Sequence, residues 1–91
     1  MEFEWNEEKA SGNIKKHDIS FEEASSAFFD FYAEIIYDDV NSGNEDRFIL
    51  IGFSENNKLL YISFIERNDK IRIISARKAT KLERKKYGTR N

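Results

Sequence analysis

Two hydrophobic periodicities divide the chain near its middle. From residue 47 onward, apolar residues come in short blocks separated by turn-forming pairs. Arg47 to Ser54 (RFILIGFS) is almost continuously apolar, as expected of a strand covered on both faces or central in a sheet. Asn56-Asn57 marks a tight reversal, because asparagine tolerates positive φ. Leu59 to Ile65 (LLYISFI) is the partner strand, Asn68-Asp69 the next turn, and Ile71 to Arg77 the next strand. Strands joined by such short turns form an antiparallel meander.

The first half carries helical spacing instead. Phe21, Ala24, Ala27, Phe28 and Phe31 fall at i, i+3, i+6, i+7 and i+10, one face of a helix running to about residue 29 or 31. Ser20 and Glu23 have the spacing of a capping box at its start. The three phenylalanines on this face are expected in the core. An earlier helix is expected from Asn6, a good N-cap followed by Glu7 and Glu8, to about His17. Its apolar content is thin (Ala10, Ile14), so it should lie on the surface. Phe3-Glu4-Trp5 reads as a short first strand and Ala33 to Tyr37 as a strand-like run. Asp38 to Asp46 reads as a solvated, turn-rich loop. A second capping box, Thr80 with Glu83, opens a basic helix from Lys81 to Tyr87, which Gly88 would end as its C′ residue. The predicted order is strand, helix, helix, an antiparallel sheet of three or four strands, then a C-terminal helix.

At 91 residues the chain is expected to form one domain, 1–91, with a modest core. There is no cysteine, so neither a disulfide framework nor a thiolate metal site exists. No apolar run approaches membrane-spanning length, and Met1 to Trp5 is acidic and lacks the apolar region of a signal peptide. The expected location is the cytoplasm. The net charge of −2 conceals a split. Residues 1–46 hold three Lys/Arg and thirteen Asp/Glu, a balance of −10, whereas residues 47–91 hold twelve and four, a balance of +8. The second half therefore suits a polyanion or an acidic partner, or the two halves neutralise each other across the fold.

The chemical inventory is short. The single histidine, His17, excludes the common histidine-cluster metal sites, and no metal or cofactor is expected. His17 at a helix end is either a general acid, a base or phosphate contact, or a residue that hydrogen-bonds the last carbonyls. Asp38 and Asp39 lack further ligands nearby. Arg67 and Arg77 flank the strand around Ile71–Ala76, with Arg72 inside it and Arg84 and Tyr87 on the helix beyond. Arg67 and Arg77 are expected to point to one surface beside that helix, and fixed guanidinium groups of this kind suit phosphates. Together with Glu66 they permit metal-independent RNA cleavage. A base takes the 2′-hydroxyl proton, the oxygen attacks the adjacent phosphate, and arginines stabilise the added charge. The same residues would also serve simple nucleic-acid binding. Arg77 could alternatively pair with Glu66 or Glu83 and serve stability alone.

Several segments together resemble the BrnT toxins, the ribonuclease half of type II BrnT–BrnA toxin–antitoxin pairs. They are Phe3-Glu4-Trp5 with Lys9, Asn13 with Lys16-His17, Ser20 to Ala24, Arg47-Phe48 with Ile51-Gly52, Ser63-Phe64 with Glu66-Arg67, and Arg72 to Arg77 followed by Ala79, Glu83-Arg84 and Tyr87. The resemblance implies an α+β, RelE-like fold with helices packed on a small antiparallel sheet and a C-terminal helix. It implies RNA cleavage that inhibits translation. It also implies a BrnA-like ribbon-helix-helix antitoxin as partner, with DNA bound only through that antitoxin. Carried onto matching positions, it gives Lys16, His17, Glu66, Arg67 and Arg77 as catalytic candidates and Arg72, Arg84 and Tyr87 as substrate-binding ones. A non-catalytic RNA- or protein-binding module of the same fold is the alternative. Two positions depart from the pattern: Asp18 stands where the family has glycine, and Asn6 where it has aspartate. Asp18 then has to accept a left-handed backbone.

Overall fold

A computed structural model of the chain describes residues 1–87. Its elements are β1 (Glu2–Glu4), α1 (Glu7–His17), α2 (Phe21–Ser26) with a 3₁₀ turn (Ala27–Phe29), β2 (Glu34–Tyr37), β3 (Phe48–Phe53), β4 (Leu59–Arg67), β5 (Lys70–Lys78) and α3 (Lys81–Tyr87). The expected α+β architecture with a C-terminal helix is present. Gly88, the expected end of α3, lies outside the described residues.

The sheet is larger than expected, with five strands in the order β1-β5-β4-β3-β2. Strands β2 to β5 form the antiparallel meander. β1 adds to the outer edge of β5 in parallel, with Phe3 opposite Ile71. Local pattern cannot show this pairing, because its partners lie at opposite ends of the sequence. The turns follow their residue types. Asn57 has φ 63°, and Asn68 and Asp69 have φ 53° and 64°, the paired positive values of a type I′ hairpin. β5 carries an irregularity opposite Ser63/Phe64, where Ile74 has no cross-strand partner. This bulge lets Ile71 and Ile73 share a face with Ala76 although their spacing breaks strict alternation.

Helices α1 and α2 cover one face. There Phe21, Ile19, Ala24 and Ala27 pack on Leu50, Leu60, Ile62, Phe64 and Ile73. The N-caps form as read, Ser20 Oγ accepting from the Glu23 amide and Asn6 from the Lys9 amide, but the expected box at Ser20 is half formed, because the Glu23 carboxylate accepts from the Ser54 hydroxyl instead. Asp18 closes α1 in the left-handed conformation, φ 58° and ψ 34°. The expected long phenylalanine face is cut short. α2 ends at Ser26 and the 3₁₀ turn at Phe29, and Phe31 is 90% exposed. Asp30 causes this. Its carboxylate accepts from the amides of Tyr32 and Phe53, which turns the chain onto β3 before another helical turn can form. The segment crosses β3 at Gly52, where an added Cβ would stand 2.9 Å from the Ala33 Cβ. Nor is the 38–46 loop simply solvated: Asp38 is buried and accepts from the backbone and side-chain amides of Asn41.

Helix α1 is tied to β5 by one side chain. Asn13 is buried; its amide nitrogen donates to the carbonyls of Ala76 (2.8 Å) and Ile19 (2.9 Å), and its oxygen accepts from the Ala76 amide (3.1 Å). β1 pairs only with residues 70–72, so Asn13 completes the exposed edge of β5 beyond them, as a neighbouring strand would. This anchor sets the C-terminal end of α1 beside the C-terminal end of β5.

Candidate phosphate-binding site around Arg77

On the sheet face away from α1 and α2, Tyr61 and Arg77 are cross-strand partners. The Arg77 guanidinium lies over the Tyr61 ring, 4.0 Å from its centroid. Helix α3 packs on the same face, with Tyr87 and Ala79 against Ile49, Ile51 and Leu59. Its capping box carries more than the helix start. Thr80 Oγ1 accepts from the Glu83 amide, and Glu83 Oε1 accepts from the Thr80 amide. The same carboxylate grips Arg77 end-on, Nη1 to Oε1 at 2.8 Å and Nη2 to Oε2 at 2.9 Å. Nη1 also donates to the Lys78 carbonyl at 3.2 Å. These contacts occupy three of the five donors of a guanidinium. The other two, Nε–H and the second Nη2–H, form the side-on fork, and the side chain is 34% exposed. A guanidinium fork matches two oxygens of a phosphate.

The charges of this cluster reinforce one another. The hydrogen bonds from Arg77 hold the Glu83 carboxyl below its ordinary pKa. The same bonds raise the Arg77 pKa. Partial burial, and then the Glu83 charge, push the Tyr61 hydroxyl up, so the ring stays neutral under the guanidinium.

The other sequence candidates separate into two groups. Arg84, exposed, and Tyr87, half-buried, share α3 with Glu83. Lys16 and His17 end α1, which covers the other face; His17 follows Asn13 by one helical turn and so lies toward the β5 end that carries Arg77 and Lys78, across the open edge of that strand. His17 is half-buried, and the cap position itself is Asp18. Arg67, Arg72 and Glu66 do not join them. Arg67 lies six residues beyond Tyr61 on β4, about 20 Å at the usual strand rise. It is held by Glu45, Nη2 to Oε1 at 2.8 Å, which raises its pKa. Arg72 donates to Glu4 of β1 at 3.1 Å. Glu66 is exposed at the same far end, and it lines a cleft on the opposite face. The expectation that Arg67 and Arg77 present one joint surface is therefore corrected: they sit at opposite ends of the β4–β5 hairpin. Tyr61 and Asn13 are the residues of this end whose roles sequence reasoning missed. Counting back from the Asn68-Asp69 turn sets Tyr61 across from Ala76; only the bulge brings it opposite Arg77.

The fold has a counterpart among known proteins. The family model for BrnT, the ribonuclease toxin of a type II toxin–antitoxin system, matches residues 5–83. The chain belongs to the BrnT family of ribonuclease toxins of type II toxin–antitoxin systems. It is similar in structure to the Brucella abortus ribonuclease toxin BrnT, solved at 1.1 Å, with a TM-score of 0.68 and 21% sequence identity over 89% of this chain and 99% of that one. At that identity the likeness concerns the fold. No curated protein matches the chain. Among the described residues, no helix is long and apolar enough to cross a membrane.

Proposed function

We propose that this chain is a metal-independent endoribonuclease that acts in the cytoplasm, inhibits translation, and is neutralised by a BrnA-like ribbon-helix-helix antitoxin. DNA enters only through that antitoxin. The observation that carries the catalytic reading is the side-on fork of Arg77, fixed by Tyr61 below and Glu83 at its end, with two donors left for a phosphate. In the proposed reaction the RNA 2′-oxygen loses its proton to a base and bonds to the adjacent phosphorus. The bond to the 5′-oxygen breaks, and that oxygen takes up a proton. The products are a 2′,3′-cyclic phosphate and a 5′-hydroxyl. Arg77 holds the phosphate oxygens as negative charge builds on them, where fixed donors act most strongly. Lys16 and His17 stand at the same end of β5 as the proton-transfer candidates, and Arg84 and Tyr87 on α3 as contacts to flanking RNA. Arg67, Arg72 and Glu66 remain outside this centre.

The second reading, a non-catalytic RNA- or protein-binding module of the same fold, draws on the same ion pair, because Glu83 already neutralises Arg77. Purified wild-type, Arg77→Ala and Arg77→Lys proteins incubated with RNA decide between them. Cleavage that vanishes in the folded variants supports the catalytic reading. Equal cleavage in all three sinks the role of Arg77, and no cleavage by the wild type favours the binding module.

A further inference from the structure

The face that α1 and α2 cover is left open toward the β4–β5 turn. A cleft of about 310 Å³ crosses the sheet there, from Met1 and Ile71 on the β1 side to Ile35 on β2, with Phe28, Phe48, Leu50 and Phe64 between them. Its aromatic rings are in contact. Phe28 meets Phe64 with centroids 5.0 Å apart, Phe48 stacks on Phe64 at 5.8 Å, and Tyr37 meets Phe48 at 5.6 Å. Ile35 is 58% exposed on β2, the strand that ends the sheet. Nine large apolar side chains are exposed among the described residues, and six of them lie between residues 29 and 40. Concentration of this kind marks an interaction surface, since single exposed apolar residues are otherwise scattered.

Charge decides what can sit there. From His17 to Asp46 the chain has nine Asp/Glu and no Lys or Arg. Glu66 lines the cleft and has no ion-pair partner among the described residues, and Asp46 accepts from the Tyr37 hydroxyl at 3.1 Å. The bases at the neighbouring strand ends are already set against acids, Lys70 against Glu2 at 4.0 Å and Arg67 against Glu45 at 2.8 Å. RNA would be repelled. A second copy of this chain, meeting edge to edge, would set the same acids against each other. A basic chain with an apolar anchor meets both requirements.

We propose that this edge is the docking surface for the antitoxin, and that the docked segment is basic and amphipathic. One apolar side chain fills the cleft beside Ile35 and Phe48, and flanking Lys or Arg residues reach Glu66 and Asp46. The proposal rests on membership of a toxin–antitoxin family and is independent of the role given to Arg77. Ile71 of β5 lines the cleft, but Arg77 lies on the other face and at the far end of that strand, so the two surfaces can be tested separately.

The test uses the chain and the antitoxin encoded beside it, with affinity measured by titration calorimetry at low and high salt. Ile35→Asp is expected to weaken binding at least tenfold while circular dichroism and RNA cleavage stay unchanged. Glu66→Lys is expected to weaken it and to flatten its salt dependence. If Ile35→Asp fails to fold, Val40→Asp, exposed just after β2 and outside the sheet, takes its place with the same expected loss. Wild-type affinity in the folded variants would overturn the proposal. So would a chain that sediments alone as a dimer and is made monomeric by Ile35→Asp, since a second copy would then be the occupant. Antitoxin binding lost in Arg77→Ala but kept in Ile35→Asp would move docking to the RNA face and also overturn it. A wild-type chain that binds antitoxin through Ile35 but cleaves no RNA would sink only the catalytic reading.

Discussion

Arg77 and Glu83 meet through two parallel hydrogen bonds of 2.8 and 2.9 Å, six residues apart across the β5–α3 junction. The carboxylate that starts the last helix therefore also sets the direction of the guanidinium. The helix and the candidate phosphate fork are held by one side chain.

For Arg77→Ala the expected outcome is loss of RNA cleavage with a native fold. Stability should fall by about 1–2 kcal/mol, because a cation–π contact is worth roughly 0.5–1 kcal/mol and an exposed ion pair up to about 1. Arg77→Lys should recover little cleavage, since an ammonium cannot present a planar fork. Cleavage gels read beside urea denaturation separate the two effects.

Glu83→Gln gives a pH signature. The Glu83 carboxyl is held below its usual pKa of 4.5, chiefly by hydrogen bonds from Arg77. Its contribution is therefore complete above that value and is lost as pH falls through the depressed folded pKa. Wild type should exceed Glu83→Gln by a few tenths to about 1 kcal/mol at neutral pH. The gap should begin to narrow as pH falls below 4.5 and go on narrowing toward the folded pKa. A gap that does not change with pH through the acid range in thermal unfolding would count against the pair.

Asn13→Leu keeps the volume of the side chain and removes its hydrogen bonds to Ala76 and Ile19. Each buried backbone group left unpaired costs about 1–3 kcal/mol, so a loss of at least about 2 kcal/mol is expected in urea. Faster hydrogen exchange at the Ala76 amide should accompany it.

Phe21 and Phe31 belong to one apparent helical stripe and should behave oppositely. Phe21 is fully buried, and Phe21→Ala should cost roughly 3–5 kcal/mol. Phe31→Ala should change stability by less than about 0.5 kcal/mol. Chemical denaturation of the two variants checks whether the helix stops where Asp30 turns the chain.

Local chemistry was legible in the sequence wherever it acts over a few residues. The capping residues Asn6, Ser20 and Thr80 and the turns at Asn57 and Asn68-Asp69 all act through their immediate neighbours. What stayed hidden depends on pairings over long separations. β1 is three residues long, and nothing in Glu2–Glu4 names β5 as its neighbour. The bulge at Ile74 changes the register by one residue and so decides that Tyr61, not its neighbour, lies under Arg77. Among the site candidates, the side of the sheet on which Arg77 lies depends on the same bulge, since strict alternation from Ile71 and Ile73 would put it on the helix-covered face. That Arg67 and Arg72 turn instead to Glu45 and Glu4 follows only from the folded neighbours of each.

Glu4 and Arg72 are 68 positions apart, and Asn13 and Ala76 are 63 apart, yet both pairs lie side by side. Read in time, this is a schedule. At roughly 5–20 residues per second, the first strand waits roughly 3–14 s for the strand it joins. The acidic, apolar segment 29–40 has left the ribosome's catalytic centre before Arg77 is added. In a toxin wired in this order, the stretch proposed to dock the antitoxin is complete before the Arg77 fork exists.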